Sequence, residues 1–296
     1  MAGLRGLAGR VAVVTGAAGG IGSAAARRLS AEGVRVVAVD INEQGARAVA
    51  ESLPEPSAWI GADVSDETGV ARYVDAAVSR FGRVDFHHLN AGIAGPLAPL
   101  PGLTAEDFDR VMAVNVRGVF LGVREAFRQY AAQAGEGQAG APGAIVITAS
   151  IGSLRGSADL LPYQTSKHAV LGILHGAAVY GGPLGIRVNA VAPGIVPTEL
   201  FAATPDVPGG RDDMTRRAST TPLRRAGTGD DVAGVVAFLL SDDAAYITGE
   251  VVSADGGASI VSSVRPSGGA GAWDTAAHDA ALYGAAWTGR AWRADE

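Results

Sequence analysis

The sequence predicts a doubly wound α/β fold, in which a parallel sheet of about seven strands is covered by helices on both faces. Short runs of apolar and β-branched residues alternate along the chain with longer stretches of helical periodicity. Such alternation is typical of a parallel sheet, because each return to the same edge requires a crossover helix. Polar or glycine residues follow several of the apolar runs, where a parallel sheet would bind a ligand.

The first strand is predicted at 10–15, and a glycine-rich turn leads from it into a helix at 21–31 that Gly33 closes. Further strands are predicted at 34–39, 57–62, 84–89, 144–148, 186–191 and 251–254. Further helices are predicted at 43–53, 66–81, 162–180 and 230–241, with one more that begins at the N-cap Thr104, three residues before Asp107. Residues 133–143 and 194–222 are predicted as a flexible loop and a mobile flap.

Composition excludes several classes of function. Apolar residues make up 48% of the 296, enough for a large core, and the net charge of −6 without a basic run argues against a nucleic-acid partner. The chain has no cysteine, and its five histidines lack the usual metal spacings, so we expect no disulfide and no metal site. No signal peptide and no apolar run of membrane-spanning length is visible, so we expect a soluble cytoplasmic protein without a membrane partner.

The turn after the first strand has the composition of a dinucleotide site. Glycines at 16, 19, 20 and 22 would let the backbone approach a pyrophosphate at the N-terminus of the next helix. Asp40 ends the second strand, where a carboxylate accepts hydrogen bonds from ribose hydroxyls and repels a 2′-phosphate. No arginine stands at 17, 18 or 41, so NAD is favoured over NADP. The alternative for Asp40 is capping of the following helix.

Lys167 is the only lysine, among twenty-four basic residues, and it follows Tyr163 by four residues. On a helix both side chains share one face. An ammonium nearby favours the phenolate and is expected to lower the pKa of Tyr163, so that the phenol can act as a general acid or base. Ser150 and Asn115 could be an ordinary capping serine and a hydrogen-bonding asparagine, or they could belong to the same site.

These motifs together resemble the short-chain dehydrogenase/reductase family, in its single-domain form of roughly 250 residues, over about residues 7–260. The residues that carry the resemblance are Thr15-Gly-Ala-Ala-Gly-Gly-Ile-Gly22, Asp63-Val64, Asn90-Ala91-Gly92, Asn115, Ser150, Tyr163-Gln-Thr-Ser-Lys167 and Pro193-Gly194-Ile-Val-Pro-Thr198. Leu89 departs from the family pattern, in which an asparagine precedes Asn90.

The resemblance implies a Rossmann-type fold and hydride transfer between a nicotinamide and a secondary alcohol or ketone. It implies catalytic roles for Asn115, Ser150, Tyr163 and Lys167, with Ser150 positioning the substrate oxygen, Lys167 holding the nicotinamide ribose and Asn115 holding a water. It implies cofactor contacts from Gly16, Ala18, Gly20, Ile21, Gly22, Asp40, Ile41, Asp63, Val64, Asn90, Ala91, Gly92, Tyr163, Lys167, Pro193, Gly194, Ile195 and Thr198. Many relatives are tetramers built on the helices near 107–131 and 162–180, so a homo-oligomer, tetramer or dimer, is expected.

An apolar or cyclic substrate is expected, because apolar residues follow Ser150 and Thr198. The candidates for an apolar wall are Ile151, Leu154, Leu160, Leu161, Ile195 and Phe201. Arg155 could bind a carboxylate or lie in solvent. The alternatives to an alcohol dehydrogenase are a biosynthetic ketoreductase for a polyketide-like or aromatic ketone, a non-catalytic binding protein on this fold, and a redox-free lyase, which the glycine turn and Lys167 oppose.

The sequence predicts a catalytic domain, residues 1–260, and a C-terminal extension, residues 261–296. The extension contains a Gly/Ser-rich stretch followed by three of the four tryptophans. Such a density of tryptophan is unusual for disorder. We expect the extension to dock on a neighbouring subunit, where it could cover the mouth of the site, or to pack on its own subunit.

Overall fold

The computed structural model describes residues 3–96, 98, 100–134, 143–156, 160–198, 200 and 217–261. Phe201, most of the predicted flap and the extension from residue 262 onward lie outside the described residues. The strands are β1 Val11–Thr15, β2 Arg35–Asp40, β3 Ala58–Gly61, β4 Phe86–Leu89, β5 Ala144–Thr148, β6 Arg187–Pro193 and β7 Val251–Ala254. They form one parallel sheet in the order β3-β2-β1-β4-β5-β6-β7. The predicted doubly wound fold is confirmed.

Seven α-helices lie within the described residues. They are α1 Gly20–Ala31, α2 Glu43–Glu51, α3 Glu67–Phe81, α4 Ala105–Met112, α5 Gly118–Ala134, α6 Leu161–Gly181 and α7 Gly229–Leu240. None of these helices has the length and hydropathy that a membrane span requires. Most predicted bounds agree with the structure to within two residues, because the apolar periodicity and the capping residues are local signals.

The helix predicted to start at Thr104 begins as expected, but it is not one continuous α-helix. The Thr104 hydroxyl accepts a hydrogen bond from the Asp107 amide at 3.1 Å, and the Asp107 carboxylate accepts one from the Thr104 amide at 3.2 Å. The α-helical bonding then gives way to a π-helical segment at Ala113–Arg117 before α5 continues. A π segment shifts the following side chains around the helix axis and is frequent at functional sites. Asn115 lies in this segment and is buried.

The inner strands bury both faces, as their nearly continuous apolar sequences predict, whereas the edge strands β3 and β7 are partly exposed. On one face, Val14 and Val146 pack with α1 and α7. On the other face, Ile145 and Ile147 pack with α5 and α6. The strand order reverses between β1 and β4, since β2 and β3 lie on one side of β1 and the later strands on the other. A crevice at the carboxyl ends of β1 and β4 is where a doubly wound sheet binds its ligand.

His87 and His88 point to opposite faces of β4, as their adjacent positions on a strand predict. His87 Nδ1 lies 2.8 Å from the Tyr130 hydroxyl, and His88 Nε2 lies 2.9 Å from the Thr148 hydroxyl. Both rings are fully buried, and burial lowers the pKa of each to about 3. Both histidines are therefore neutral parts of the core. Across the described ranges, no group of three or more metal-ligating side chains converges.

Candidate active site

Tyr163 and Lys167 lie one turn apart near the start of α6 and are both buried. Pro162 occupies the first turn of this helix, where its missing amide hydrogen costs nothing. Because the two residues share a face, the Lys167 ammonium nitrogen comes to lie 5.6 Å from the centroid of the Tyr163 ring. The structure thus brings together the two side chains that the sequence predicted to act as a pair.

Ser150 reaches the same point from the other side, at the carboxyl end of β5. Its hydroxyl is hydrogen-bonded to the Tyr163 phenol. The hydroxyl oxygen also accepts from the Gly152 amide at 3.0 Å, within the short 3₁₀ turn Ile151–Ser153. The capping role considered for Ser150 is therefore real, and it coexists with the contact to Tyr163. Capping fixes the direction in which the hydroxyl points.

The pKa of Tyr163 does not follow the direction expected from the sequence. Burial raises it above its usual value, and the hydrogen bond with Ser150 only partly opposes this shift. The expectation that Lys167 lowers this pKa is wrong for the protein groups alone. Lys167 is itself buried, and burial lowers its own pKa to about 8.

Thr148, which sequence reasoning missed, holds Lys167 in place. The Lys167 ammonium donates to the main-chain oxygen of Thr148 at 2.7 Å. The Thr148 hydroxyl donates to Asn90 Oδ1 at 3.0 Å, and the Asn90 side-chain amide donates to the Thr15 and Gly16 oxygens at 3.2 and 3.3 Å. The ends of β1, β4 and β5 are thereby linked by side chains. The sequence signal that could have identified Thr148 is its position two residues before Ser150.

Asn115 joins the site through the main chain of Ile93. Its Oδ1 accepts from the Ile93 amide at 2.8 Å, and its Nδ2 donates to the Ile93 oxygen and to the Ser166 hydroxyl, both at 2.9 Å. The side-chain amide of Asn115 thus fixes the segment after Gly92. A Cβ atom added to Gly92 would lie 3.1 Å from Asn115 Oδ1 and 3.8 Å from Lys167 Nζ. Glycine keeps the space between these two side chains open.

The glycine-rich turn after β1 is held close to neighbouring backbone. Gly16 has a φ of +66°, and a Cβ there would lie 2.9 Å from the Ala91 Cα. A Cβ on Gly22 would lie 2.0 Å from the Gly16 oxygen. No side chain caps the N-terminus of α1 at Gly19. The cradle that only glycine permits and the uncapped helix amides fit the pyrophosphate of a nicotinamide dinucleotide.

Asp40 lies at the carboxyl end of β2 and supports this turn. Its Oδ2 accepts from the Ala18 amide at 3.0 Å, and its Oδ1 accepts from the Asn42 amide at 2.9 Å. The N-cap of α2 is Asn42, not Asp40, so the capping alternative for Asp40 does not apply. A carboxylate has about four lone-pair positions, so acceptor capacity remains for ribose hydroxyls.

A cavity of about 580 Å³ joins these parts along the carboxyl edge of the sheet. The predicted residues that line it are Gly16, Gly20, Ile21, Asp40, Asn90, Ala91, Gly92, Ser150, Ile151, Leu160, Tyr163, Lys167, Pro193, Gly194, Ile195 and Thr198. Gln164, Val196, Leu200 and Arg217 also line it, and sequence reasoning had not singled them out. The two halves of the predicted site, far apart in the chain, therefore share one cavity.

Several predicted residues do not line this cavity. The residues that do not form its wall are Ala18, Gly22, Ile41, Asp63, Val64 and Asn115. Leu154 and Leu161 were predicted to form an apolar wall, but their side chains are 48% and 37% exposed at the end of the 3₁₀ turn and the start of α6. Phe201 lies outside the described residues.

A parallel sheet with a glycine cradle at its switch point, joined by one cavity to a Ser-Tyr-Lys group, defines a nicotinamide-binding oxidoreductase. Comparison with known proteins gives the family. The family described as Enoyl-(Acyl carrier protein) reductase matches residues 16–259. Levodione reductase of Leifsonia aquatica is 40% identical over 84% of this chain and 94% of its own. Cis-4-hydroxycyclohexanecarboxylate dehydrogenase of Sinomonas cyclohexanicum is 41% identical over 84% and 96%.

Among solved structures, 3-ketoacyl-(acyl-carrier-protein) reductase from Brucella melitensis complexed with NADH has a TM-score of 0.76 at 35% identity, covering 85% of this chain and 98% of its own. The protein therefore belongs to the short-chain dehydrogenase/reductase family, as the motifs had indicated. It is an oxidoreductase of that family.

Proposed function

We propose that the protein is an NAD-dependent oxidoreductase that interconverts a secondary alcohol and a ketone, with Tyr163 as the general acid and base and an apolar or cyclic substrate. The observation that carries this proposal is the group of buried Tyr163 and Lys167 with half-buried Ser150, in the same cavity as the glycine turn. A bound nicotinamide supplies or accepts the hydride at the carbinol carbon. The protein's own residues hold the substrate oxygen and move its proton.

Tyr163 is the proton donor in the reducing direction. Because its pKa is raised, the phenol is protonated at neutral pH and can donate to the ketone oxygen. Ser150, hydrogen-bonded to the same phenol, donates to that oxygen and positions it. In the oxidising direction the phenolate accepts the alcohol proton. The raised pKa therefore favours reduction at neutral pH and oxidation at higher pH.

Lys167 replenishes the proton on Tyr163. A pKa of about 8 allows the side chain to give and take a proton near neutral pH. The Thr148 oxygen holds the ammonium, and glycine at position 92 leaves the approach from the Asn115 side open. The Asn115 amide is already bonded to Ile93 and Ser166, so we assign it the role of holding this approach in shape.

NAD is the proposed cofactor because Asp40 lies at the adenosine end of the cavity. Its carboxylate accepts from the ribose hydroxyls and repels the 2′-phosphate of NADP. The apolar lining by Ile151, Leu160 and Ile195 supports an apolar or cyclic substrate. The name of one relative, cis-4-hydroxycyclohexanecarboxylate dehydrogenase, supports the same class.

The proposed assembly is a homo-oligomer in which α5 and α6 pack against a second subunit. Phe120 on α5 and Val179 on α6 are 50% and 80% exposed, unusually apolar for a solvent-facing helix pair. The extension, residues 261–296, is proposed to dock on that neighbouring subunit. Truncation after Val261, followed by measurement of the number of subunits in solution and of steady-state kinetics, tests this: an unchanged number of subunits and unchanged kinetics contradict the docking.

The test of the reaction is absorbance of reduced nicotinamide with a panel of secondary alcohols and ketones. NAD(H) and NADP(H) are compared in the wild type, in Tyr163→Phe and in the matched control Tyr180→Phe, which removes an exposed hydroxyl from the same helix. We expect turnover with NAD(H) that Tyr163→Phe abolishes and Tyr180→Phe retains. Preference for NADP(H) would contradict the role of Asp40. If the protein shows no turnover and calorimetry detects no NADH binding, the results favour a non-catalytic binding protein.

A further inference from the structure

Arg155 brings a positive charge to the substrate end of the cavity. It follows Ser150 by five residues, just past the 3₁₀ turn Ile151–Ser153, and its half-buried side chain lines the cavity. Neighbouring strands lie about 4.8 Å apart, so the ends of β2 and β5, three strands apart in the sheet, are separated by roughly 14 Å. Arg155 is therefore far from Asp40, which lies at the adenosine end.

Few groups of the protein compensate this charge. Arg155 Nη1 donates to the Val261 main-chain oxygen at 3.2 Å, and within the described ranges the guanidinium makes no other hydrogen bond and no ion pair. A guanidinium has five donors. Asp40 is the only acidic residue in the described lining. The substrate end of the cavity thus has donors and positive charge but no described carboxylate.

The cavity that Arg155 lines has several apolar residues in its wall. Ile151, Leu160, Ile195, Val196 and Leu200 line the same cavity. A charge that is partly removed from water is costly unless an opposite charge pairs with it. The planar fork of arginine matches a carboxylate with two parallel hydrogen bonds. Apolar walls around one guanidinium suit a ligand with an apolar body and a single anionic group.

The cofactor phosphates are not the partner that this geometry suggests. The pyrophosphate fits the glycine turn after β1, and β1 is separated from β5 by two strand spacings, roughly 10 Å. Arg155 follows Ser150 after the end of β5, and its hydrogen bond goes to Val261, which follows β7 in the chain, whereas the glycine turn follows β1. An anion there belongs to the substrate.

We propose that Arg155 binds a carboxylate on the substrate, and that the substrates are oxo and hydroxy acids with an apolar, ring-sized body. The inference rests on the proposed reaction, because it names the substrate class of the same cavity. The reacting carbonyl lies at Ser150 and Tyr163, and the carboxylate pairs with Arg155 at the other end of the substrate. Arg155 then selects acids over neutral ketones of the same shape.

The experiment compares two ketones that differ by one charge, 4-oxocyclohexanecarboxylate and its methyl ester. Each is tested with NADH in the wild type, in Arg155→Met and in Arg155→Lys. Hydrogen bonds to charged groups contribute enough to predict a loss of about 10- to 100-fold in kcat/KM for the acid in Arg155→Met, with little change for the ester. Arg155→Lys, which retains the charge, is expected to recover part of the loss. If the role of Arg155 were merely structural, Arg155→Met would lower kcat/KM equally for the acid and the ester.

Arg72→Met is the matched control, since Arg72 also donates to one main-chain oxygen, that of Gly61 at 3.0 Å, but is exposed on α3 outside the cavity. An unchanged ratio between acid and ester in Arg155→Met overturns the inference and leaves the proposed reaction intact. If neither ketone is reduced, calorimetry with cyclohexanecarboxylate on the NADH complex decides separately. If the wild type binds cyclohexanecarboxylate and Arg155→Met does not, the subsite is supported. If the two proteins bind it equally, or if the wild type does not bind it, the inference is overturned.

Discussion

Lys167→Met is expected to separate stability from activity. Burial lowers the pKa of Lys167 from 10.5 to about 8, so the folded protein holds the ammonium at a cost. At pH 7 the difference of about 2.5 pH units corresponds to about 3 kcal/mol of unfolding free energy. Methionine carries no charge and fills a similar volume. The variant loses the contact with the Thr148 oxygen and lacks this cost.

The sign of the pH dependence follows from the lowered pKa. Between pH 8 and 10.5 the unfolded chain binds a proton on Lys167 that the folded chain has released, so the contribution of Lys167 to stability rises with pH in this window. The cost falls to about 1 kcal/mol at pH 9.5. The wild type should therefore gain about 2 kcal/mol relative to Lys167→Met between pH 7 and 9.5. No other lysine exists to blur the effect.

Urea unfolding at pH 7.0, 8.5 and 9.5 measures this gap, and reduced-nicotinamide absorbance measures activity in parallel. Lys167→Met should be inactive at every pH. Tyr163→Phe is the control, since it should also be inactive but keep the wild-type pH trend, the pKa of the phenol being raised beyond this range. A gap that stays constant from pH 7.0 to 9.5 would refute the argument that burial destabilises the ammonium.

Two further perturbations test the core and the approach to the site. Gly92→Ala places a methyl group 3.1 Å from Asn115 Oδ1. It should lower kcat about 10- to 100-fold, because small misplacements of catalytic groups are costly. Gly102→Ala is the control and should not change kcat, because a Cβ atom at Gly102 would have nothing within 4 Å. Burial lowers the pKa of His87 and His88 to about 3, so stability should fall as pH falls from 6.5 toward 3, by up to about 1.4 kcal/mol per pH unit for each ring. Replacement of His87 by Asn and of His88 by Gln should reduce the pH dependence of the urea-unfolding midpoint between pH 4 and 6. An unchanged pH dependence would mean that other groups cause the loss of stability.

Local pattern determined much of this protein. The alternation of buried strands with amphipathic helices predicted the sheet, and the Thr104–Asp107 pair predicted the start of α4. Helical periodicity alone placed Tyr163 and Lys167 on one face. These features depend on residues within a few positions of each other, so a single sequence contains the information for them.

Only the tertiary structure decided how these parts act on one another. The Thr148 oxygen that holds Lys167 is 19 positions away, and the Val261 oxygen that meets Arg155 is 106 positions away. The π segment around Asn115 and the solvent exposure of Leu154 and Leu161 could not be read from local pattern. The rise in the pKa of Tyr163 likewise depends on burial, which the packing of β5 and α6 creates. The physical reason is that periodicity and capping are local, whereas burial and the meeting of distant oxygens depend on the order in which strands join the sheet.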